Sequence, residues 1–65
     1  MITINGKLVS DADGLSLAQF LAREAFLASR VAVECNGEIV PKTAYECRKL
    51  ADGDILEVVC FVPGG

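Results

Sequence analysis

The residues best suited to chemistry lie at the end of the chain, where Gly64 and Gly65 follow Val62 and Pro63. Glycine has no Cβ, so a glycine backbone can pass through a gap that would block any other residue. The reactive group would be the α-carboxylate of Gly65, on a thin stalk whose base Pro63 stiffens by fixing its own φ. A carboxylate needs activation, because its negative charge repels nucleophiles. Two glycines alone are equally compatible with a tail that has no function.

The three cysteines indicate a second possible chemistry, redox or metal binding. A structural zinc site needs four ligands, usually with close Cys or His pairs. Cys35, Cys47 and Cys60 are far apart, and the chain has no His. We therefore interpret them as small apolar residues, with Cys35 and Cys60 buried in apolar runs and Cys47 exposed in a polar stretch. We expect no metal site and no bound cofactor.

Composition limits the partners and the compartment. The formal net charge of −3 argues against nucleic acid, whose phosphates favour clustered Lys and Arg. The N-terminus carries no targeting signal, and no apolar run is long enough to span a bilayer. Together with the odd cysteine count, these features predict a cytoplasmic protein that does not bind or span a membrane. The hydrophobic fraction of 52% is high, so we expect some apolar surface to form an interface.

Hydrophobic periodicity predicts five strands and one helix. Two Asn-Gly pairs, at 5–6 and 36–37, indicate tight hairpin turns between short alternating strands. A helix is predicted over residues 16–25, with Ser16 and Gln19 forming a capping box. Residues 42–50 are expected to form a short helical turn or loop with Tyr45 and Leu50 as anchors. The last strand is predicted over residues 55–61.

This order, ββαββ followed by a turn-rich stretch and a final strand, predicts an α+β fold for a single domain over residues 1–65. One helix is too little for a doubly wound sheet, but a mixed sheet of about five strands with one helix packed across it satisfies the layer rule. That arrangement is the ubiquitin-like β-grasp. In it the first and last strands pair in parallel at the centre of the sheet, and the tail leaves from a central strand.

Several short motifs occur along the chain: Ile4-Asn5-Gly6, Leu17 with Phe20-Leu21, residues 31–37, Ile39-Val40-Pro41, Asp52-Gly53-Asp54 and the terminal Gly64-Gly65. In these motifs and their spacing the chain resembles the ThiS-type sulfur carriers, a group that includes MoaD and, more distantly, ubiquitin. The resemblance covers essentially all 65 residues. The family often has a glycine near the end of its helix, whereas this chain reads Glu24-Ala25-Phe26.

The resemblance implies that a ThiF-type adenylating enzyme uses ATP to convert the Gly65 carboxylate to an acyl adenylate. A sulfur donor such as a cysteine desulfurase would then supply sulfur, and the terminus would become a thiocarboxylate. A ThiG-type thiazole synthase would take that sulfur for the thiazole ring of thiamin. The chain would be a cosubstrate, a monomer when alone, with a flexible Gly-Gly tail and no catalytic groups of its own.

Partners need a surface by which to hold the domain. If Leu56 and Val58 face the helix together with Cys60, the alternate residues of the last strand face the other way. We expect that second face to form an apolar docking patch beside the tail. The predicted binding residues are Ala32, Val59, Phe61, Val62, Pro63 and Gly64.

Four alternatives remain at this stage. A carrier for another pathway, such as molybdopterin, cysteine or methionine, would have the same tail. A ubiquitin-like protein modifier would also use it, but would form isopeptide bonds to lysines. A cysteine-based redox or metal protein lacks the expected CxxC spacing. A plain β-grasp interaction domain without tail chemistry stays possible because a fold does not determine a function.

Overall fold

The structure, a computed structural model, describes residues 1–61. In this part of the chain a five-stranded mixed sheet has the order β2-β1-β5-β3-β4. The central strand β5 is parallel to β1 and antiparallel to β3, so the predicted β-grasp is confirmed. The elements are β1 (Ile2–Ile4), β2 (Lys7–Val9), α1 (Leu17–Arg23), β3 (Val31–Cys35), β4 (Glu38–Val40) and β5 (Ile55–Cys60), with 3-10 turns at Ala28–Arg30 and Lys42–Ala44.

The two hairpins turn as their sequences predict. Asn5 and Gly6 have φ values of 48° and 83°, and Asn36 and Gly37 have values of 54° and 85°. Positive φ at both central residues defines the type I′ turn, whose twist matches that of the flanking strands. These turns place β2 and β4 at the two edges of the sheet.

One face of the sheet is covered by α1 and the segment after β4. Leu17, Phe20 and Leu21 are fully buried against the inward side chains of the sheet. Tyr45 and Leu50 are buried as predicted, and Ala12, in the loop between β2 and α1, is also fully buried. Among residues 1–61, no helix has the length and apolar character needed to cross a bilayer. The inward side chains are Ile2, Ile4, Val31, Val33, Cys35, Leu56 and Val58.

The start of α1 confirms the predicted capping box. The Gln19 N–H donates to Ser16 Oγ at 3.1 Å, and the Ser16 N–H donates to Gln19 Oε1 at 2.9 Å. These bonds satisfy two backbone donors that the first helical turn would otherwise leave without partners. They therefore determine where the helix begins.

The helix ends earlier than residue 25, so that part of the prediction is wrong. Ala25 has φ 65°, and its N–H donates to Ala22 O while the Phe26 N–H donates to Leu21 O. This is a Schellman motif with alanine at the left-handed position where glycine is usual. Because no glycine marks the C-terminus of the helix, the sequence pattern predicts a helix that extends beyond the observed end at Arg23.

The cysteines follow the prediction at two positions of three. Cys35 is buried and Cys47 is exposed, but Cys60, predicted to be buried, is exposed. The strand β1 pairs with β5 only at Ile55 and Leu56. At Cys60 the strand β5 has β3 on one side and no neighbour from β1, so the side chain reaches solvent.

Ala25→Gly is expected to stabilise the domain by about 0.5–1 kcal/mol. A non-glycine residue in the left-handed conformation costs ~1–2 kcal/mol, and the additional chain entropy that glycine loses on folding offsets part of this gain. The matched control is Ala22→Gly, at the exposed last residue but one of the helix, where φ is helical and glycine should destabilise by up to about 1 kcal/mol. Urea unfolding of both variants measures the two changes. A loss of stability in Ala25→Gly would contradict the strain assigned to this helix end.

Candidate functional site: the tail strand and the open sheet face

The predicted tail leaves the domain from β5, the most enclosed strand of the sheet. This strand pairs with β3 over five residues and with β1 over two. The last described residue, Phe61, donates its N–H to the Arg30 carbonyl at 2.7 Å. The backbone is therefore held by the sheet up to the residue that precedes the tail. The predicted site residues Val62, Pro63, Gly64 and Gly65 lie outside the described residues.

Asn5 binds β5 with its side chain where β1 ends. Its Nδ2 donates to the Val58 carbonyl at 3.1 Å, and its Oδ1 accepts from the Val58 N–H at 2.8 Å. The Asn5 backbone N–H also donates to Leu56 O at 2.9 Å. The amide side chain thus replaces the next peptide unit of a parallel ladder. It continues the hydrogen bonding of β5 after β1 has turned away.

Asn36, in the turn between β3 and β4, also binds β5 through its side chain and its backbone. Its Oδ1 accepts from the Ile55 N–H at 2.9 Å, and its backbone N–H donates to the Ile55 carbonyl at 2.8 Å. Its Nδ2 donates to Asp54 Oδ1 at 3.0 Å. The asparagines of the two hairpin turns therefore bind β5 at its start and at its middle. The sequence indicated them only as turn residues, because a positive-φ preference does not reveal which backbone a side chain will reach.

The Asp54 carboxylate connects the turn before β5 to the side chain of Asn36. Its Oδ2 accepts from the Ala51 N–H at 2.9 Å, in addition to the bond from Asn36. Partial burial, the largest single influence, raises the pKa of Asp54, but the hydrogen bonds from Ala51 and Asn36 and the charge of Arg48 outweigh it, so the pKa is lowered. The ionised carboxylate is therefore the form that stabilises the turn.

The sheet face opposite the helix is open, as predicted. Val59 and Phe61 are 58% and 57% exposed, and Ile55 is 53% exposed. Ala32 lies directly opposite Val59 in the antiparallel pair and is half-buried. Side chains of alternate residues point to the same face, so these residues share one surface with Leu8 on β2 and Ile39 on β4. We call this surface the open face.

The cysteines do not form a cluster in the part of the chain that the structure describes. Cys35 points to the helix side of the sheet, where Arg48 Nη2 donates to its Sγ at 2.9 Å. That contact raises the pKa of the Arg48 guanidinium. Cys47 and Cys60 are exposed and separate free thiols. The described residues therefore do not bring the three cysteines together into one site.

Fold and site together define a ubiquitin-like β-grasp protein whose central strand leads into a Gly-Gly terminus. A family model described as the ThiS family matches residues 1–65. The chain belongs to this family.

Two named relatives agree with this membership. The chain is 38% identical over 66 aligned positions to the sulfur carrier protein ThiS of Bacillus subtilis, with 100% of both chains covered. It is 38% identical over 64 residues to the thiazole synthase of Paramagnetospirillum magneticum, covering 98% of this chain but only 20% of that protein. The chain thus spans about a fifth of the length of that relative.

A solved structure shows the same fold. The crystal structure of the thiamine biosynthesis protein ThiS from Geobacter metallireducens matches with a TM-score of 0.75 at 34% sequence identity. The match covers 98% of this chain and 97% of that chain.

Removing either asparagine side chain should loosen β5 locally. Asn5→Gly keeps a residue that tolerates positive φ but leaves the Val58 N–H and carbonyl without partners, at a cost of about 1–3 kcal/mol. Asn36→Gly should instead release the Ile55 N–H. Amide hydrogen exchange measures both, and each variant controls for the other. Equal effects of the two variants at both amides would contradict this local assignment.

Asp54 should contribute stability that is lost in acid. A carboxylate with a lowered folded pKa stabilises the fold above its unfolded pKa of about 3.9 and loses that contribution as the pH falls through the folded pKa. Asp54→Asn should be less stable than the wild type at neutral pH, and the difference should shrink below about pH 4. Urea unfolding across this range measures it. A difference that persists or grows in acid would contradict the assignment.

Proposed function

We propose that this chain is a sulfur carrier that delivers sulfur for the thiazole ring of thiamin. The observation that supports this most is full-length likeness, at 38% identity, to a protein named as a sulfur carrier, in a chain that ends in Gly64 and Gly65. The likeness to a structure described as a thiamine biosynthesis protein supports the pathway.

The reacting group would be the Gly65 carboxylate. An ATP-dependent adenylating enzyme of the ThiF type joins one carboxylate oxygen to the α-phosphorus of ATP and releases pyrophosphate. A sulfur nucleophile then displaces AMP: either hydrosulfide, or a persulfide whose S–S bond is afterwards reduced by a thiol. The product is a thiocarboxylate. Its sulfur is more nucleophilic than the oxygen that it replaces, so the terminus changes from inert to reactive.

A thiazole synthase of the ThiG type would receive the sulfur. A segment similar to this chain makes up about a fifth of a protein named thiazole synthase. Joining a carrier to its acceptor in one polypeptide raises the local concentration of each for the other. This arrangement in a relative supports the same pairing between separate chains. We assign the sulfur supply to a cysteine desulfurase, and the whole sequence of steps to the cytoplasm.

The chain itself would act as a cosubstrate and a monomer. The catalytic groups belong to its partners, and the folded body positions one atom in their active sites. The open face, with Ala32, Val59 and Phe61, would be the surface through which partners hold the body while residues 62–65 reach the reaction. Hydrogen bonding along β5 and at Phe61 supports this division, because it holds the base of the tail in the sheet.

Gly64→Val should leave the fold intact and slow adenylation by about 100-fold or more, since a misplacement of the reacting group by about an ångström has effects of that size. Pyrophosphate release with the adenylating enzyme measures the rate, and thermal unfolding checks the fold. Gly64→Ala is the matched control and should give a smaller loss. Adenylation of Gly64→Val at the wild-type rate would contradict the steric role of Gly64.

A further inference from the structure

The base of the tail is held by a hydrogen bond to a short turn. The Phe61 N–H donates to the Arg30 carbonyl at 2.7 Å, next to the last pair of β3 with β5, which is Val31 with Cys60. Within residues 1–61, neither β1 nor the Asn5 side chain reaches this end of β5. The bond to Arg30 is therefore the last one that the structure describes before the tail.

The turn that supplies this carbonyl, Ala28–Arg30, is only weakly anchored by packing. All three of its side chains are exposed. Ala28 and Ser29 border an open cavity of about 390 Å³ and not the core. Within the turn, the Arg30 N–H donates to the Leu27 carbonyl at 2.9 Å. A segment with so little buried apolar surface depends on hydrogen bonds to its neighbours for a fixed position.

Lys42 gives this turn a hydrogen bond from a better anchored part of the fold. Its Nζ donates to the Ser29 carbonyl at 2.8 Å, and the next carbonyl along the chain is the one that binds Phe61. Lys42 begins the second 3-10 turn, which leads directly into buried Tyr45. The Tyr45 carbonyl accepts from the Ala18 N–H of the helix at 2.9 Å. Lys42 therefore connects a turn that the core holds to the turn that holds the base of the tail.

We propose that Lys42 is a positioning residue for the reaction at the tail. Phe61 lies four residues before Gly65, and four residues span at most about 14 Å. Any spread in the position of Phe61 therefore widens the range of positions available to the Gly65 carboxylate, and the rate of a reaction depends on how closely its reacting groups are placed. This assignment rests on the proposed function, which makes Gly65 the reacting residue.

The test compares the wild type with Lys42→Met, which keeps an unbranched side chain but removes the donor. Amide exchange at Phe61 should become about tenfold faster, while the Val58 amide, which Asn5 holds, should exchange as in the wild type. Pyrophosphate release with the purified adenylating enzyme should show a kcat about fivefold lower at an unchanged KM for the chain. The KM should not change because the open face is intact and only the placement of the terminus is lost.

Two further variants separate the hydrogen bond from the charge. Lys42→Arg can donate to the same carbonyl and should restore both the exchange at Phe61 and the kcat. Lys7→Met removes the same charge from β2, at the opposite edge of the sheet from β4 and Lys42, and should change neither. Thermal unfolding checks that each variant is folded.

Several results would overturn the proposal. They are wild-type exchange at Phe61 in Lys42→Met, an unchanged kcat or a change in KM alone in that variant, an equal loss in Lys7→Met, and failure of Lys42→Arg to restore both values. If the wild type is not adenylated at all, the proposed function fails, while exchange at Phe61 still decides whether Lys42 holds the base of the tail.

Discussion

The structure depends on the hydrogen bonding that the asparagines of the two hairpin turns give to the central strand. Asn5 binds Val58 through its side chain and Leu56 through its backbone N–H. Asn36 binds Ile55 through both its side chain and its backbone N–H. The strand β1 has only three residues, so main-chain pairing alone would leave much of β5 without a partner on that side. The Asn5 side chain extends the ladder on that side, and Asn36 extends the pairing on the side of β3. The strand that leads to the tail is thereby held in place in a domain too small to have a large core.

This hydrogen bonding explains how so short a chain can keep the surface proposed to bind partners apart from the terminus proposed to react. The inward side chains of β5 belong to the core, its outward side chains belong to the open face, and its end leads to the tail. One strand therefore connects the core, the face proposed to bind partners and the terminus proposed to react. A partner that covers the open face also holds the strand whose continuation it must receive, which is the positioning that a carrier needs.

Much of this architecture could be predicted from the residues. The Asn-Gly turns, the capping box of Ser16 and Gln19 and the alternation of Val31, Val33 and Cys35 each have a local physical cause, and each agrees with the structure. The features that the sequence did not predict correctly have non-local causes. The helix end at Ala25 is held by backbone bonds without the usual glycine, and Cys60 is exposed because a neighbouring strand ends early. The bonds between the Asn5 side chain and Val58 depend on strand register, which composition and periodicity do not determine.

The central claim, that the Gly65 carboxylate receives sulfur, is tested most directly by intact-mass spectrometry. The chain would be incubated with its adenylating enzyme, ATP, magnesium and a sulfide source, and fragmentation would locate any change along the chain. The account predicts a mass increase equal to the difference between sulfur and oxygen, confined to the terminal glycine. An unchanged mass, a change located on a cysteine, or higher-mass conjugates to lysines of other proteins would contradict it.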